Sequence, residues 1–461
     1  MSDAPRVLTR AAALASDYLA TLPDRPVARS VDLAALRASM GGPLPDGPMD
    51  PVAVVEALAA AADPGLVATA GPRFFGFVIG GSLPAAVGAD WLTAAWDQNA
   101  AFYITSPAAA VAEEVAAGWL VELLGLPAGT SVGFASGATM ANFTALAAAR
   151  HAVLARAGWD VERFGLQGAP PLTVVTHAGS HATVYASLQM LGLGREGERV
   201  RAVEADDQGR MRPDALRAEL ATIEGPVIVC AQAGNVNTGA FDPFDVIAPI
   251  VRDRGGWLHI DGAFGIWAAA VPSLRENMRG HDEADSWSTD AHKWLNVPYD
   301  SGLVFVRDAA AHHAAMTFGA AYYVEADGGA RDSYNWVPES SRRARGFTIL
   351  AALRSLGRQG LVDLVERDCR LARRMADRLA GAPGVTILNE VVLNQVLVGF
   401  RDDQLTRDVI AAVQRDGTCW LGGTTWAGRA AMRISVSGWQ TTEDDVDRSA
   451  DAILRCLSEV S

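Results

Sequence analysis

Apolar residues recur along the chain in two alternating rhythms, and their order predicts the fold class. Residues 1–70 carry helical spacing in two or three segments, broken by Pro- and Gly-containing loops such as GGPLPDGP. In MDPVAVVEALAAAA an acid stands near the start, a proline falls in the first turn and apolar residues follow at helical spacing, which predicts a helix. From about residue 71 to 310, helical patterns alternate with short apolar runs: PLTVVTH, RVRAVEA, GPVIVCAQA, GGWLHIDGA and SGLVFVRD. Strands alternating with helices predict an α/β layer around a mostly parallel sheet. After about residue 345 the rhythm changes to a helix (FTILAALRSLG), a charged helix (LVDLVERDCRLARRMADRLA) and the strands VTILNE, QVLVGF and MRISVS, a smaller α+β domain. The expected organisation is an amino-terminal helical segment over 1–70, a large domain over 71–335 and a small carboxyl-terminal domain over 336–461. The stretch AAYYVEADGGARDSYNWVPESS, rich in Gly, Asp and aromatics, predicts a mobile segment between the domains.

Composition narrows the function classes. Half of the 461 residues are hydrophobic, enough for a large core. With 39 basic against 53 acidic residues and a net charge of −14, the chain advertises no basic surface for nucleic acid. Four scattered cysteines, Cys230, Cys369, Cys419 and Cys456, form no CxxC and predict free thiols in a reducing cytoplasm. The start MSDAPRVLTR lacks a secretory pattern, and no run approaches the roughly 18 apolar residues of a membrane span, so a soluble chain is expected. One count changes the picture more: of the 39 basic residues, only Lys293 is a lysine. Arginine replaces lysine cheaply on a surface, but not where a neutral amine must attack a carbonyl, because guanidinium stays protonated. A lysine alone among arginines is either a candidate for chemistry or a chance survivor at a salt bridge.

Context favours chemistry. Lys293 lies in ADSWSTDAHKWLNVPYDSGLVFV, after a short β-like run and before a strand, with Trp287 and Trp294 expected to shelter it. A desolvated amine shifts toward its neutral, nucleophilic form. Upstream, Asp261 ends the strand-like WLHID and is followed by Gly262 and Ala263. A carboxylate at the end of a parallel strand suits a ligand crevice, although alone it reads equally as a turn or helix cap. Together the two residues suit pyridoxal 5'-phosphate (PLP), which needs a lysine for its Schiff base and a carboxylate beside its pyridine nitrogen. Ala263 is small enough for the ring to lie against. In FASGATMANFTALAAARHAVL, Ser136, Gly137, Ala138 and Thr139 open a helix whose N–H groups and positive end suit a phosphate. An ordinary capped helix is the other reading, and without a nearby lysine it is no Walker loop. GLGREG (Gly192, Gly194, Gly197) matches GxGxxG, but a helix precedes it and a strand follows, the reverse of a dinucleotide fingerprint. His181, in HAGSHATVYASLQMLG, could stack on the outer face of a cofactor ring, or simply cap its helix; His177 reads as cap or core. His312 and His313 are expected to be solvated.

The motifs FASGATMAN, SHATVYAS, AGNVNTGAFD, WLHIDGAFG, DAHKWLNVPYDSG and SYNWVPESSRRARGF occur in this order over about residues 70–350. Together they resemble the group II PLP-dependent decarboxylases, the family of aromatic-L-amino-acid, glutamate and histidine decarboxylases. HIDGA with HKW is the specific pair; SGAT and AGNVNTGA are weaker. The resemblance implies an aspartate-aminotransferase-like α/β fold (PLP fold type I), with a large mostly parallel-sheet domain and a smaller carboxyl-terminal α+β domain. It also implies a homodimer with active sites at the subunit interface. By the same resemblance Lys293 carries the cofactor, Asp261 pairs with the pyridinium, and Ala138, Thr139 and His292 contact the phosphate beside Gly137. His181 would stack on one face of the ring and Ala263 would lie on the other. Asn235 or Asn237 would lie near the cofactor, where the family often has threonines. Asp290 stands where some relatives place asparagine or serine at the phosphate, and as an anion it is given no such role.

Tyr334, in the expected mobile segment, resembles the tyrosine that reprotonates the substrate carbon; loop closure would exclude water and bring the acid into place. Its other reading is a loop aromatic like Tyr322 and Tyr323. The implied activity is release of carbon dioxide from an L-amino acid to give an amine. Phe75, Phe77 and Trp96, in segments where relatives line the substrate pocket, hint at an aromatic or apolar side chain, though they read equally as core. Aminotransfer, with Arg433 of MRISVSGW as carboxylate clamp, aldehyde synthesis, and a non-catalytic PLP-fold protein are the alternatives. Tyr334 favours decarboxylation over aldehyde synthesis, and the intact Asp261–Lys293 pair argues against a non-catalytic role.

Overall fold

In the computed structural model, which describes residues 3–319 and 330–461, the apolar runs of the middle of the chain become one sheet. Its strands are β1 (Ser131–Ala135), β2 (Thr173–His177), β3 (Val200–Val203), β4 (Val227–Gln232), β5 (Trp257–Asp261), β6 (Ser286–Asp290) and β7 (Gly302–Val306). They pair in the order β1-β7-β6-β5-β4-β2-β3. The run from β6 to β3 is parallel, while β7 is antiparallel to both β6 and β1. Every strand except edge strand β3 is buried along its whole length, as expected where both faces of a sheet are covered. A smaller sheet, order β10-β11-β9-β8, comprises β8 (Val385–Ile387), β9 (Gln395–Phe400), β10 (Gly422–Trp426) and β11 (Arg429–Ser435). The fold is therefore α/β, a large mostly parallel sheet with a smaller second sheet. Strands β1 (SVGFA) and β10 (GGTTW) carry weak apolar signals, and pairing with β7 and β11 supplies what propensity does not.

Contacts divide the chain into two units, one of residues 80–373 and 389–396, the other of 1–79, 374–388 and 397–461. The first holds the seven-stranded sheet. There the helix Ala138–Arg156 turns its small face inward, packing Ala141, Ala145 and Leu146 in one cluster with Val174, Ile228, Val304 and Leu188. Such close packing needs small side chains at the helix start as well. A Cβ on Gly302 would stand 2.5 Å from the Gly137 Cα, so the helix start is pinned against the start of β7. The two expected helices after residue 345 form one element, Arg345–Ala380, broken at Gly357, whose φ of 61° no other residue adopts so readily. In the second unit the helices Ala4–Thr21, Leu33–Met40 and Pro51–Ala62 bury none of their residues. No helix among the described residues is long and apolar enough to cross a membrane.

One expectation fails in this frame. His312 is fully buried, with Nδ1 2.8 Å from Ser131 Oγ and Nε2 2.9 Å from the Trp336 carbonyl. It lies on the inner face of the helix Ala309–Met316, and burial drives its pKa down to about 3. Adjacent His313 is exposed, one step around the helix. Tyr322 and Tyr323, with most of the segment expected to be mobile, lie outside the described residues.

Trp287 and Trp294 are fully buried, as expected for walls around the lysine turn. Trp294 donates its Nε1–H to Asp368 Oδ2 at 2.9 Å, and Arg367 donates to Oδ1 at 3.2 Å. Burial pushes the Asp368 carboxyl up to about 7. A carboxyl whose pKa is raised on folding holds its proton longer in the native state, so its contribution is full below the unfolded pKa and is lost as pH rises through about 7. Asp368→Asn is therefore expected to stabilise the fold at pH 8, by up to about 4 kcal/mol, with the gain vanishing toward pH 4. Calorimetric melting across that range checks it; a gain independent of pH would contradict it.

Candidate active site

The site grows from the turn between β6 and β7. Asp290, the last residue of β6, receives the N–H of Ala138, the first residue of the helix Ala138–Arg156. Its other oxygen lies 3.0 Å from Lys293 Nζ, and the lysine side chain is only 18% exposed. A carboxylate at a helix amino terminus gains from the partial positive charge there, and the lysine adds a full one. His292 accepts the Ser301 N–H at Nδ1, 3.1 Å, which leaves its proton on Nε2, 3.4 Å from Asp290 Oδ1. Burial lowers the His292 pKa, so a neutral ring offers that N–H. The ring stacks on Tyr299 at 4.2 Å. Asp290, given no phosphate role on charge grounds, thus takes the Ala138 N–H itself and lies beside Lys293.

Asp261 ends β5 between β4 and β6 and is 4% exposed. Its Oδ1 accepts the Ala263 N–H at 3.1 Å and its Oδ2 the Asn142 side-chain N–H at 3.4 Å. Among the described residues it forms no ion pair. A buried carboxylate with neutral donors alone is a costly group, and a cationic ring N–H is the partner that would offset that cost. The turn after β5 meets the lysine turn directly, because the Asp290 N–H donates to the Ala263 carbonyl at 2.9 Å. Gly137, Ala138, Asp261, Ala263, His292 and Lys293 are thereby assembled in one place.

Thr139 is tied to the next helix, Ala182–Met190, by the Ser187 hydroxyl donating to its carbonyl at 3.0 Å. His181 is the cap of that helix, its Nδ1 accepting the Thr183 N–H at 3.3 Å, so the capping role is present whatever its ring faces. Asn235 is buried, and its Oδ1 accepts the N–H groups of Asn237 (2.9 Å) and Thr238 (3.3 Å). Among the described residues its Nδ2 lacks a partner, and it lies beside Gly179, two residues before His181. PLP fits these residues: a reachable lysine, a buried carboxylate without a cation, and helix-terminus donors.

Tyr334 joins a different cluster. It lies in the 3-10 turn Ser333–Trp336, 4% exposed, with its ring 4.9 Å from Phe102 and 5.7 Å from Phe318. Long-range polar contacts hold this turn. Ser333 donates to Glu113 at 2.7 Å; buried Arg342 pairs with the same carboxylate at 2.7 Å and donates to the Phe134 carbonyl at 3.0 Å. Among the expected pocket aromatics, Phe75 is core, whereas Phe77 and Trp96 keep about half of their surface exposed (59% and 49%). Arg433 lies on β11, in the second unit. The residues overlooked in the sequence are Asn142, His259 and Ser288, which back Asp261. One signal was available: strand alternation puts His259 and Asp261 on the same face of β5.

Comparison with known proteins agrees. Residues 40–402 match the model of the pyridoxal-dependent decarboxylase conserved domain. An L-2,4-diaminobutyrate decarboxylase of Rhizobium meliloti (strain 1021) is 31% identical over 382 residues, covering 80% of this chain and 74% of the relative. Tryptophan decarboxylase 1 of Oryza sativa subsp. japonica is 25% identical over 492 residues, covering 99% and 94%. The crystal structure of Oryza sativa TDC with PLP and tryptamine superposes with a TM-score of 0.92 at 23% identity, covering 99% of this chain and 98% of that one, a likeness of fold. Fold and site define a PLP-dependent carboxy-lyase acting on an amino acid. The chain belongs to the pyridoxal-dependent decarboxylase family.

Proposed function

We propose that this chain decarboxylates an aromatic L-amino acid to its amine, with PLP carried on Lys293. The observation that carries this reading is the assembly of the chain's one lysine, the helix terminus at Ala138 and the cation-free carboxylate of Asp261 around adjoining turns. When bound, PLP supplies an electron sink for the pair left at Cα as carbon dioxide departs. Asp261 serves that sink by holding the ring nitrogen protonated. Asp290 holds the Lys293 amine in place, and Ala138, Thr139 and His292 give the phosphate its donors, with Gly137 leaving room for its approach. Ala263 and His181 bound the ring on its two faces, and Asn235 contributes an amide N–H beside Gly179. Tyr334 holds the proton delivered to Cα, its ring fixed by Phe102 and Phe318.

The likeness to a tryptophan decarboxylase over 99% of this chain supports an aromatic substrate. A second copy of the chain is the proposed partner. The helices Ala4–Thr21, Leu33–Met40 and Pro51–Ala62 bury nothing within one chain and expose Leu8, Leu19, Leu33, Met40 and Leu58, an apolar surface of the kind a partner covers. Four free, buried cysteines accord with residence in the cytoplasm.

Supplied with carboxyl-labelled amino acids one at a time, the enzyme is expected to release labelled carbon dioxide fastest from an aromatic one, and Lys293→Ala to release none. Keto-acid or aldehyde without a matching amine would contradict the reading. Asp290 makes a second prediction, because its carboxylate shares the donors proposed for the phosphate. Asp290→Asn is expected to raise the affinity for PLP about tenfold relative to pyridoxal, which lacks the phosphate. Fluorescence titration with both compounds reads the ratio, and an unchanged ratio would show that Asp290 and phosphate do not compete.

A further inference from the structure

We propose that His259 is a positioning residue for Asp261, acting through Asn142, and that a one-directional run of hydrogen bonds gives it that role. The proposal rests on the reading of Asp261 as the partner of the cofactor's ring nitrogen. Each bond in the run has only one possible donor. Trp257 Nε1 can only donate, and it does so to Ser286 Oγ at 2.9 Å. The Asn142 side-chain oxygen can only accept, and it lies 2.9 Å from His259 Nε2, so His259 carries its proton there. His259 Nδ1 is then an acceptor, 3.0 Å from Ser286 Oγ, which turns its hydroxyl proton toward the ring. Asn142 passes its own N–H to Asp261 Oδ2 at 3.4 Å. The opposite amide orientation would set an oxygen against the Asp261 carboxylate and an N–H against that of His259. In the first orientation Ser288 donates to the same Asn142 oxygen.

Asn142, His259, Ser286 and Ser288 are all fully buried, so water does not compete for these bonds. Burial also lowers the His259 pKa to about 3, in keeping with a neutral ring of fixed tautomer. The run begins at a donor-only indole and ends at an acceptor-only carboxylate. Every proton in it points toward Asp261. The effect is to hold one oxygen of Asp261 by a neutral donor in a fixed orientation, keeping the group an acceptor for a ring N–H.

The discriminating experiment loads the chain with PLP or with its analogue in which a carbon replaces the ring nitrogen. Wild type is expected to bind PLP more tightly than the analogue. His259→Leu is expected to lose about tenfold of that preference, while His259→Gln, which can still donate to Asn142, keeps most of it. Retention of the full preference in His259→Leu, or an equal loss of affinity for both compounds, would overturn the proposal. Failure of wild type to bind either compound would instead refute the PLP reading of Lys293, and so is distinguishable. Should His259→Leu lose its cooperative melt, Ser286→Ala removes the donor to Nδ1, together with the acceptor of the Trp257 indole N–H, and leaves the His259 ring in place. A smaller loss of preference is expected there, and no loss would also overturn the proposal.

Discussion

The Asp290 carboxylate stands between a helix amino terminus and the chain's one lysine, and the rest of the site is arranged around that contact. It is possible only because the helix start approaches β7 without side chains at Gly137 and Gly302. It is oriented by the backbone bond from Asp290 to Ala263, which brings the end of β5 alongside the end of β6. Sheet order, helix packing and chemistry therefore meet at one residue. The alanine-rich face of Ala138–Arg156 is part of the same constraint, since bulkier residues there would lift the helix terminus away from the turn that carries Lys293.

Two buried carboxylates lie on neighbouring strand ends, and their partners separate their roles. Asp290 has cationic and helix-terminus partners within the chain. Among the described residues Asp261 has neutral donors only, behind which stand Asn142, His259 and Ser286. The first has a cation beside it; the second has none among the described residues. That asymmetry is what a cofactor with both an anionic phosphate and a protonatable ring requires of its site.

Much of this was legible in the sequence where a local rule applied. Continuous apolar runs announced β2, β4, β5 and β7, because strands buried on both faces carry no alternation. Lys293 was exposed by its isolation among arginines, and Asp261 by its place at a strand end. What stayed hidden depends on partners distant in the chain. Tyr334 is packed because Ser333 and Arg342 share Glu113, more than 200 positions upstream. His312 is buried because its helix meets β1 and Trp336. Asp290 was set aside because its charge was weighed against a phosphate alone, without the lysine and helix terminus that stabilise it.

The central claim is that the cofactor is held on Lys293. Borohydride reduction of the holoenzyme, followed by peptide mass mapping, tests it most directly, because reduction makes the link between cofactor and amine permanent. A pyridoxyl group is expected on the peptide containing DAHKW, at Lys293, in stoichiometric amount. A fully loaded enzyme with that peptide unmodified, or with the label on the chain's α-amino group, would contradict it.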